Sequence, residues 1–308
     1  MRRIPGGYER LSLAPNPGGR APWLALTAGL LWAGAGHAQA WLPSAGSGDV
    51  SVSYADTFDT KHYLYDGSEV DAGHIRYYTY GLAGEYSPTD RLMVNASVPV
   101  VRSIYMGAFP HPTSVDDGTY HTTYTDLRTE LHYELMLNPV ALAPYVAYVE
   151  PLHHYATLGH AAPGRGLHET WLGTAIGKSL DEWVPGTFVQ ARFTYAIVQK
   201  VQGISHDKEN IEAEVGYFIT RYFNVQGLFQ WQKTLGGIPL PVARSDPLYW
   251  YHDILGASAY TNLGVGASWE YSDRLGLSFA YIGAIEGKNG HKLGRGVSVS
   301  VQYQLGQH

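Results

Sequence analysis

The sequence predicts an all-β chain: an antiparallel transmembrane β-barrel of about twelve strands, with short turns on one rim and long loops on the other. Three observations carry this reading. Apolar and polar residues alternate in repeated segments, many long enough for the roughly 9–11 residues that a tilted strand needs to cross a bilayer. The connections between those segments alternate short and long. The composition, with 24 Tyr, 8 Trp and 36 Gly, suits a surface that meets water at one level and lipid at the next.

The alternation is plainest from Thr123 to Leu137. The odd positions, among them Thr123, Thr125, Leu127, Leu131 and Leu135, are uncharged, whereas Asp126, Arg128, Glu130, His132 and Glu134 occupy even positions. Successive side chains of a strand point to opposite faces, so the segment has one apolar and one ionic wall. Leu127, Leu131 and Leu135 also fall at helical spacing, but a helix would scatter the charges around its circumference. Hydrocarbon cannot solvate charge, so the uncharged set is expected to face lipid and the ionic set the lumen. On this reading Leu131→Arg is harmful and Glu130→Gln is tolerated.

In chain order, Arg2, Arg3, Arg10 and Arg20 precede an apolar run from Ala21 to Ala35, which ends at Ala38-Gln39-Ala40. This is the pattern of a secretory signal peptide over residues 1–40, with cleavage before Trp41 and a barrel over residues 41–308. The run is too short and too rich in Gly and Ala for a good spanning helix. The chain has 21 basic and 27 acidic residues; four arginines and Glu9 lie in the first 40, so residues 41–308 carry a net charge of −9. That balance argues against nucleic acid as a partner. The expected partners are outer-membrane lipid, a small-molecule solute and the outer-membrane assembly machinery. The absence of Cys excludes disulfides, thiolate zinc sites and covalently attached haem.

Residues 41–48 read as an unstructured lead. Strands follow at Val50–Tyr54, His74–Tyr86 and Leu92–Val100, and after the Thr123 segment at Tyr145–Leu152 and Leu167–Leu180. The second half continues with alternation through Val189–Ile197, Ile211–Ile219, Val225–Trp231, Thr261–Tyr271, Leu275–Tyr281 and Val297–Leu305. On the ionic side these add Arg192, Glu212, Glu214 and Glu270 to the lumen set. Short connections fall near Ser87, Asn138, Asp181, Thr220 and Ser272, and long ones near Asp59, Ile104, His153, Lys200, Leu235 and Glu286. Short turns belong on the periplasmic rim and long loops outside the cell. An even number of strands closes the sheet and removes its edges.

The last strands carry a more specific pattern. Asn262 begins N-L-G-V-G-A-S-W-E-Y-S-D-R-L, and Glu286 begins E-G-K-N-G-H-K-L-G-R-G-V-S-V-S. E-V-G-Y-F-I-T-R-Y-F-N-V from Glu214 and T-L-G-G from Thr234 fit the same pattern. From about Asn210 onward the chain resembles the outer-membrane barrels of the MetA-pathway-of-phenol-degradation family. The resemblance implies an envelope barrel concerned with uptake of small, often aromatic or hydrophobic compounds. Barrels of this kind commonly end on an aromatic residue; here Tyr303 is followed by five more residues.

The resemblance and the charge pattern together give a channel or transporter as the expected function, with no catalytic residues, cofactor or metal. Asn289-Gly290 is a tight-turn signal. With His291 and Arg295 it is a candidate gate, or a hairpin whose Arg295 meets a lumen carboxylate. Nine histidines lie in or beside the long loops. Of these His153, His154 and His160 could converge on a metal, but no ligand spacing supports it, and scattered surface histidines are expected. The rival classes are a lipase-like barrel enzyme, with His132 flanked by Glu130 and Glu134, and a structural or adhesive barrel that works through its loops. No nucleophile motif supports the enzyme.

Overall fold

The computed structural model describes residues 40–108 and 110–306; the expected signal peptide lies outside the described residues except for Ala40. The strands are β1 Gly48–Tyr63, β2 Glu69–Val70, β3 His74–Thr89, β4 Leu92–Met106, β5 His121–Tyr124, β6 Asp126–Tyr133 and β7 Ala141–Pro151. They continue with β8 Glu169–Ser179, β9 Thr187–Val198, β10 His206–Thr220, β11 Phe223–Gly236, β12 Ala259–Ser272, β13 Leu275–Lys288 and β14 Gly290–Leu305. A 3₁₀ turn, Pro247–Tyr251, runs into a helical turn, α1, His252–Leu255.

Every pairing between strands is antiparallel, and β1 pairs with β14 from Gly48↔Leu305 to Tyr63↔Gly290, which closes the sheet on itself. β2 is a short flap on β1, and β5 and β6 are two parts of one stave, so the barrel has twelve staves. The outer face is apolar: Val52, Leu82, Val215, Val265 and Val301 are all exposed. Tyr86, Tyr133, Tyr217, Trp269, Tyr271 and Tyr303 sit exposed near the short-turn rim, the level of an aromatic girdle. The inner face buries the polar members of the alternation. This is the architecture of an outer-membrane β-barrel, with short turns at one rim, taken as periplasmic, and mostly longer connections at the other.

The structure departs from the sequence reading in four places. The Thr123 strand breaks at Thr125. β5 pairs Val100↔Tyr124 and β6 pairs Ser97↔Arg128, a register offset of one residue. The extra residue reverses the faces: Tyr124 points out and Thr125 is buried, whereas Leu131 points out and Glu130 in. A second irregularity, between Thr261 and Asn262, turns Thr261 inward, where its hydroxyl donates to Glu286 at 2.9 Å.

The connection near Glu286 is not a long loop. Asn289 alone separates β13 from β14, at φ +50°, a left-handed conformation that Asn tolerates better than most residues. The β13–β14 ladder ends at Ile282↔Gly296; above it β13 follows β12 to Ala259↔Lys288 and β14 follows β1 to Tyr63↔Gly290. The hairpin arms are therefore held by their outer neighbours rather than by each other.

The lead is not loose either. Ala40 and Leu42 are buried among Met93, Ala141, Ala143 and Ala175 inside the periplasmic end of the barrel. Trp41 meets Phe188 edge-on, with ring centroids 6.4 Å apart. Small residues make the room: a Cβ on Gly177 would stand 2.7 Å from the Trp41 ring. An apolar segment fits here because the inward positions of β7 and β8 beside it are alanines, Ala141, Ala143 and Ala175.

The depth of an outward residue sets what a charge there costs. Val265 lies well inside β12 and Tyr271 at its periplasmic end. Val265→Arg should lower folding stability by about 2–4 kcal/mol, and Tyr271→Arg by about 0–1 kcal/mol. Denaturant titration of barrels folded into lipid vesicles measures both; equal costs would contradict the assigned depth.

Candidate functional site

Midway down the lumen the inward residues of β6 and β9 form one ionic layer. Arg128 pairs with Glu130, and Arg192 Nη2 donates to the same carboxylate at 2.8 Å. His132 Nε2 lies 2.7 Å from Glu130 Oε2, and its ring stacks on Tyr145 at 4.9 Å. Arg192 Nε donates to the Tyr145 hydroxyl at 2.7 Å, with its guanidinium 3.9 Å from the ring centroid. Arg128 lies over Trp171 at 4.2 Å. Arg128, Glu130, His132 and Arg192 are all buried. Their convergence follows from the pleat, because every second residue of adjacent staves faces one axis. Among the described residues, no hydrogen-bond partner reaches His132 Nδ1, so the layer holds no serine–histidine pair there.

Of the other expected lumen residues, Glu212 lies level with this layer, opposite Arg192 in register; the rest lie at different depths. Glu214 accepts from Gln190 Nε2 at 3.0 Å, and Gln190 Oε1 accepts from the Ala40 amide at 3.5 Å, which links the carboxylate to the buried N-terminal segment. Glu134 is buried at the periplasmic rim beside Arg91, whose carbonyl accepts from its amide at 2.8 Å. Glu270 is two residues from the end of β12, outside the central layer.

Asp126 belongs to a second layer nearer the cell exterior. It accepts from Tyr155 at 2.6 Å, and Tyr155 also accepts from the Gly166 amide. Beside it Arg165 pairs with Glu169, Lys208 Nζ stands 3.6 Å from Glu169, and Trp171 Nε1 donates to Glu169 at 2.8 Å. Glu169, Lys208 and Arg165 are missing from the sequence reading. The first two share the inward parity of Trp171 and Glu212; Lys208 lies just beyond the strand start drawn at Ile211, whereas Glu169 falls inside the Leu167–Leu180 strand and is passed over there.

Above this layer the extracellular connections fold into a lid. His62, His111, His160, His252 and His291 gather around Asp253. The loop histidines are thus not scattered, and of the trio His153, His154 and His160 only the last takes part; His153 bonds the Tyr124 carbonyl at 2.8 Å. Asp116 sets the arrangement, accepting from the amides of His111, His160 and Ala161 at 3.1, 2.9 and 2.9 Å. Burial pushes His111 down to about 4, so it is neutral at pH 7. Burial opposes the Asp253 charge, yet hydrogen bonds from His160 and His291 hold its carboxyl well below the usual range.

The three candidate gate residues part company. His291 joins the cluster, with Nδ1 2.8 Å from His62 and Nε2 3.1 Å from Asp253. Asn289 is a staple: it accepts from the Leu240 amide at 2.7 Å and donates to the Ala257 carbonyl at 3.0 Å. Arg295 is exposed, its guanidinium 5.9 Å from the Phe58 ring, and meets no lumen carboxylate among the described residues; it shares the outward parity of Val299 and Val301.

Between lid and ionic layers lies a chamber of about 370 Å³ lined by Tyr63, Ile254, Tyr260, Leu293 and part of the histidine cluster. A second cavity, of about 280 Å³, lies beside Asp126, Arg128 and Val149. Asp59, Arg165 and Lys208 line both.

No family model matches the sequence, and no curated relative does. Solved structures do match. The COG4313 outer membrane channel from Pseudomonas putida F1 is 16% identical, with a TM-score of 0.67 over 86% of this chain and 97% of that one. The NanC porin is 10% identical, with a TM-score of 0.48 over 84% and 100% of the two chains. The deltaS2S3 mutant of the TodX monoaromatic hydrocarbon channel is 9% identical with a TM-score of 0.44 over 87% and 92%. These likenesses share the closed-barrel fold.

The central layer corrects one expectation. Glu130 is the shared partner of two buried arginines, so Glu130→Gln is not neutral. It should cost about 3–5 kcal/mol, because it leaves both guanidinium groups under-compensated. Removing Arg192 as well, in Glu130→Gln/Arg192→Met, should recover part of that loss. Thermal unfolding of the three proteins in detergent measures this; an unchanged midpoint for the single variant would contradict the pairing.

Proposed function

We propose that this barrel is an outer-membrane channel, shut at rest, for small uncharged solutes, with aromatic or hydrophobic compounds the best fit. The observation that carries the reading is the chamber between the lid and the ionic layers. Its volume falls within the range of small-molecule sites, roughly 300–1,000 Å³, and its walls mix aromatic and aliphatic side chains such as Tyr63, Ile254, Tyr260 and Leu293 with polar and charged ones such as Asp59, Arg165, Lys208 and Asp253. The resemblance to the MetA-pathway family from about Asn210 onward points to the same solute class.

An open cation-selective pore is the competing expectation, since rings of acidic side chains favour cations. Here Glu130 is wrapped by Arg128 and Arg192, and Glu214 faces Gln190 and the N-terminal segment. Glu130 is neutralised by the two arginines and Glu214 is held by a hydrogen bond, so neither belongs to an open acidic ring. Asp126, Arg128, Glu130, His132, Arg192 and Glu212 then act as a barrier to ions, with Glu134, Glu214 and Glu270 toward the periplasmic exit. A solute passing this way needs the lid and the Trp41–Leu42 closure to move.

A planar bilayer separates the two readings. The wild-type barrel should pass little ionic current, and Trp41→Ala/Leu42→Ala should add stepwise conductance by loosening the periplasmic closure. A large steady current through the wild-type protein would contradict the gated reading.

A further inference from the structure

The lid holds a donor set that the passage of an uncharged solute does not require. His111, His160, His252 and Asp253 each offer one ligand atom, and the four atoms lie within 4.8 Å of one another. His160 Nδ1 stands 3.3 Å from Asp253 Oδ2, His111 Nδ1 3.7 Å from the same oxygen, and His252 Nε2 3.5 Å from Oδ1. A tetrahedral ion with bonds of 2.0–2.1 Å needs donors about 3.3 Å apart; the His160 and His111 spacings to Oδ2 are close to such edges, and His252 lies beside the other oxygen of the same carboxylate.

His111 supplies the second observation. Its side chain is 1% exposed, and neither ring nitrogen has a hydrogen-bond partner. A buried imidazole without partners loses its hydration and gains nothing in return. Its Nδ1 faces the carboxylates of Asp253 and Asp116 at 3.7 and 3.9 Å, beyond hydrogen-bonding distance but on the side where a cation would be held.

We propose that His111, His160, His252 and Asp253 bind one divalent transition-metal ion of the zinc type. Three neutral imidazoles and one carboxylate suit Zn, Cu or Ni, and are a poor match for Ca or Mg, which prefer oxygen. His291 completes the surroundings: it holds Asp253 Oδ1 at 3.1 Å while its other nitrogen meets His62 at 2.8 Å, the kind of outer contact that orients a metal-binding carboxylate. A second grouping, His62, His160, Asp253 and His291, shares two of the donors. The ion is assigned to the set containing His111, because His62 and His291 already satisfy each other.

The donors come from three separate connections: His111 from residues 107–120, His160 from 152–168, and His252 with Asp253 from 237–258. Zinc bound there ties the lid into one piece.

The test uses tag-free, EDTA-treated protein folded in detergent and titrated calorimetrically with zinc chloride alone. Wild type should bind one zinc ion. His111→Ala/His252→Ala, which removes donors unique to this set, should weaken binding at least tenfold, as should Asp253→Asn. His153→Ala/His154→Ala, in the same loop as His160 but outside the cluster, should bind as wild type does. Heat-modifiable migration on gels establishes that each variant is a folded barrel. Wild-type binding no tighter than that of the folded His111→Ala/His252→Ala variant would overturn the site, as would equal loss in the His153→Ala/His154→Ala control. Zinc should also slow proteolysis of the 237–258 loop in wild type only; equal slowing in Asp253→Asn would overturn the tie between loops.

Discussion

Backbone amides cannot be left unpaired in hydrocarbon, and that constraint organises the whole molecule. Water is absent at that depth, so each exposed N–H or C=O group costs several kcal/mol. An open sheet of this length would leave the edges of β1 and β14 bare; their pairing along the full height of the wall removes both edges. The pleat follows, and with it the strict division between what lipid sees and what the lumen sees. Even the exceptions obey it. At Thr125 the ladder slips by one residue, and the amides of Thr125 and Leu152 still find the carbonyls of Pro99 and Thr125.

The same constraint explains the interior. A twelve-stave barrel is too narrow for a wide aqueous channel and too wide to be filled by short side chains. Long charged residues fill it instead, and once out of bulk water they must be paired. Glu130 between Arg128 and Arg192 is the clearest case, and Glu169 with Arg165 and Lys208 repeats the solution one layer higher. Toward the periplasm the alanines of β7 and β8 leave space that no charge occupies, and Leu42 and Trp41 take it. The closures at the two ends thus differ in chemistry: an apolar plug below, and a polar lid of hydrogen-bonded loops above.

The wall was legible in the sequence because a period of two is a local signal. Val215, Val265 and Val301 declare their side by their neighbours alone. The slip at Thr125 was not legible, since a single extra residue shows itself only against the partner strand. Asn289-Gly290 was readable as a tight turn, yet its flanking Gly and Lys residues resembled a long loop; their strand character comes from β1 and β12. The histidine cluster is the extreme case. His111, His160 and His252 are 49 or more positions apart in the chain; Asp116 joins the first two by reaching from one loop to the amides of another, and His252 meets their rings from a third. Fold and ionic layer could be read from spacing; the lid could not.

The account turns on the chamber being a place where a solute rests between two closures. Equilibrium binding of phenol to the detergent-folded barrel, followed by ligand-observed NMR, tests this most directly. One saturable site is expected, abolished by Ala284→Phe, which fills the chamber from β13, and kept in Gln226→Asn, which lies away from it. Absence of saturable binding to wild type, or undiminished binding to Ala284→Phe, would contradict it.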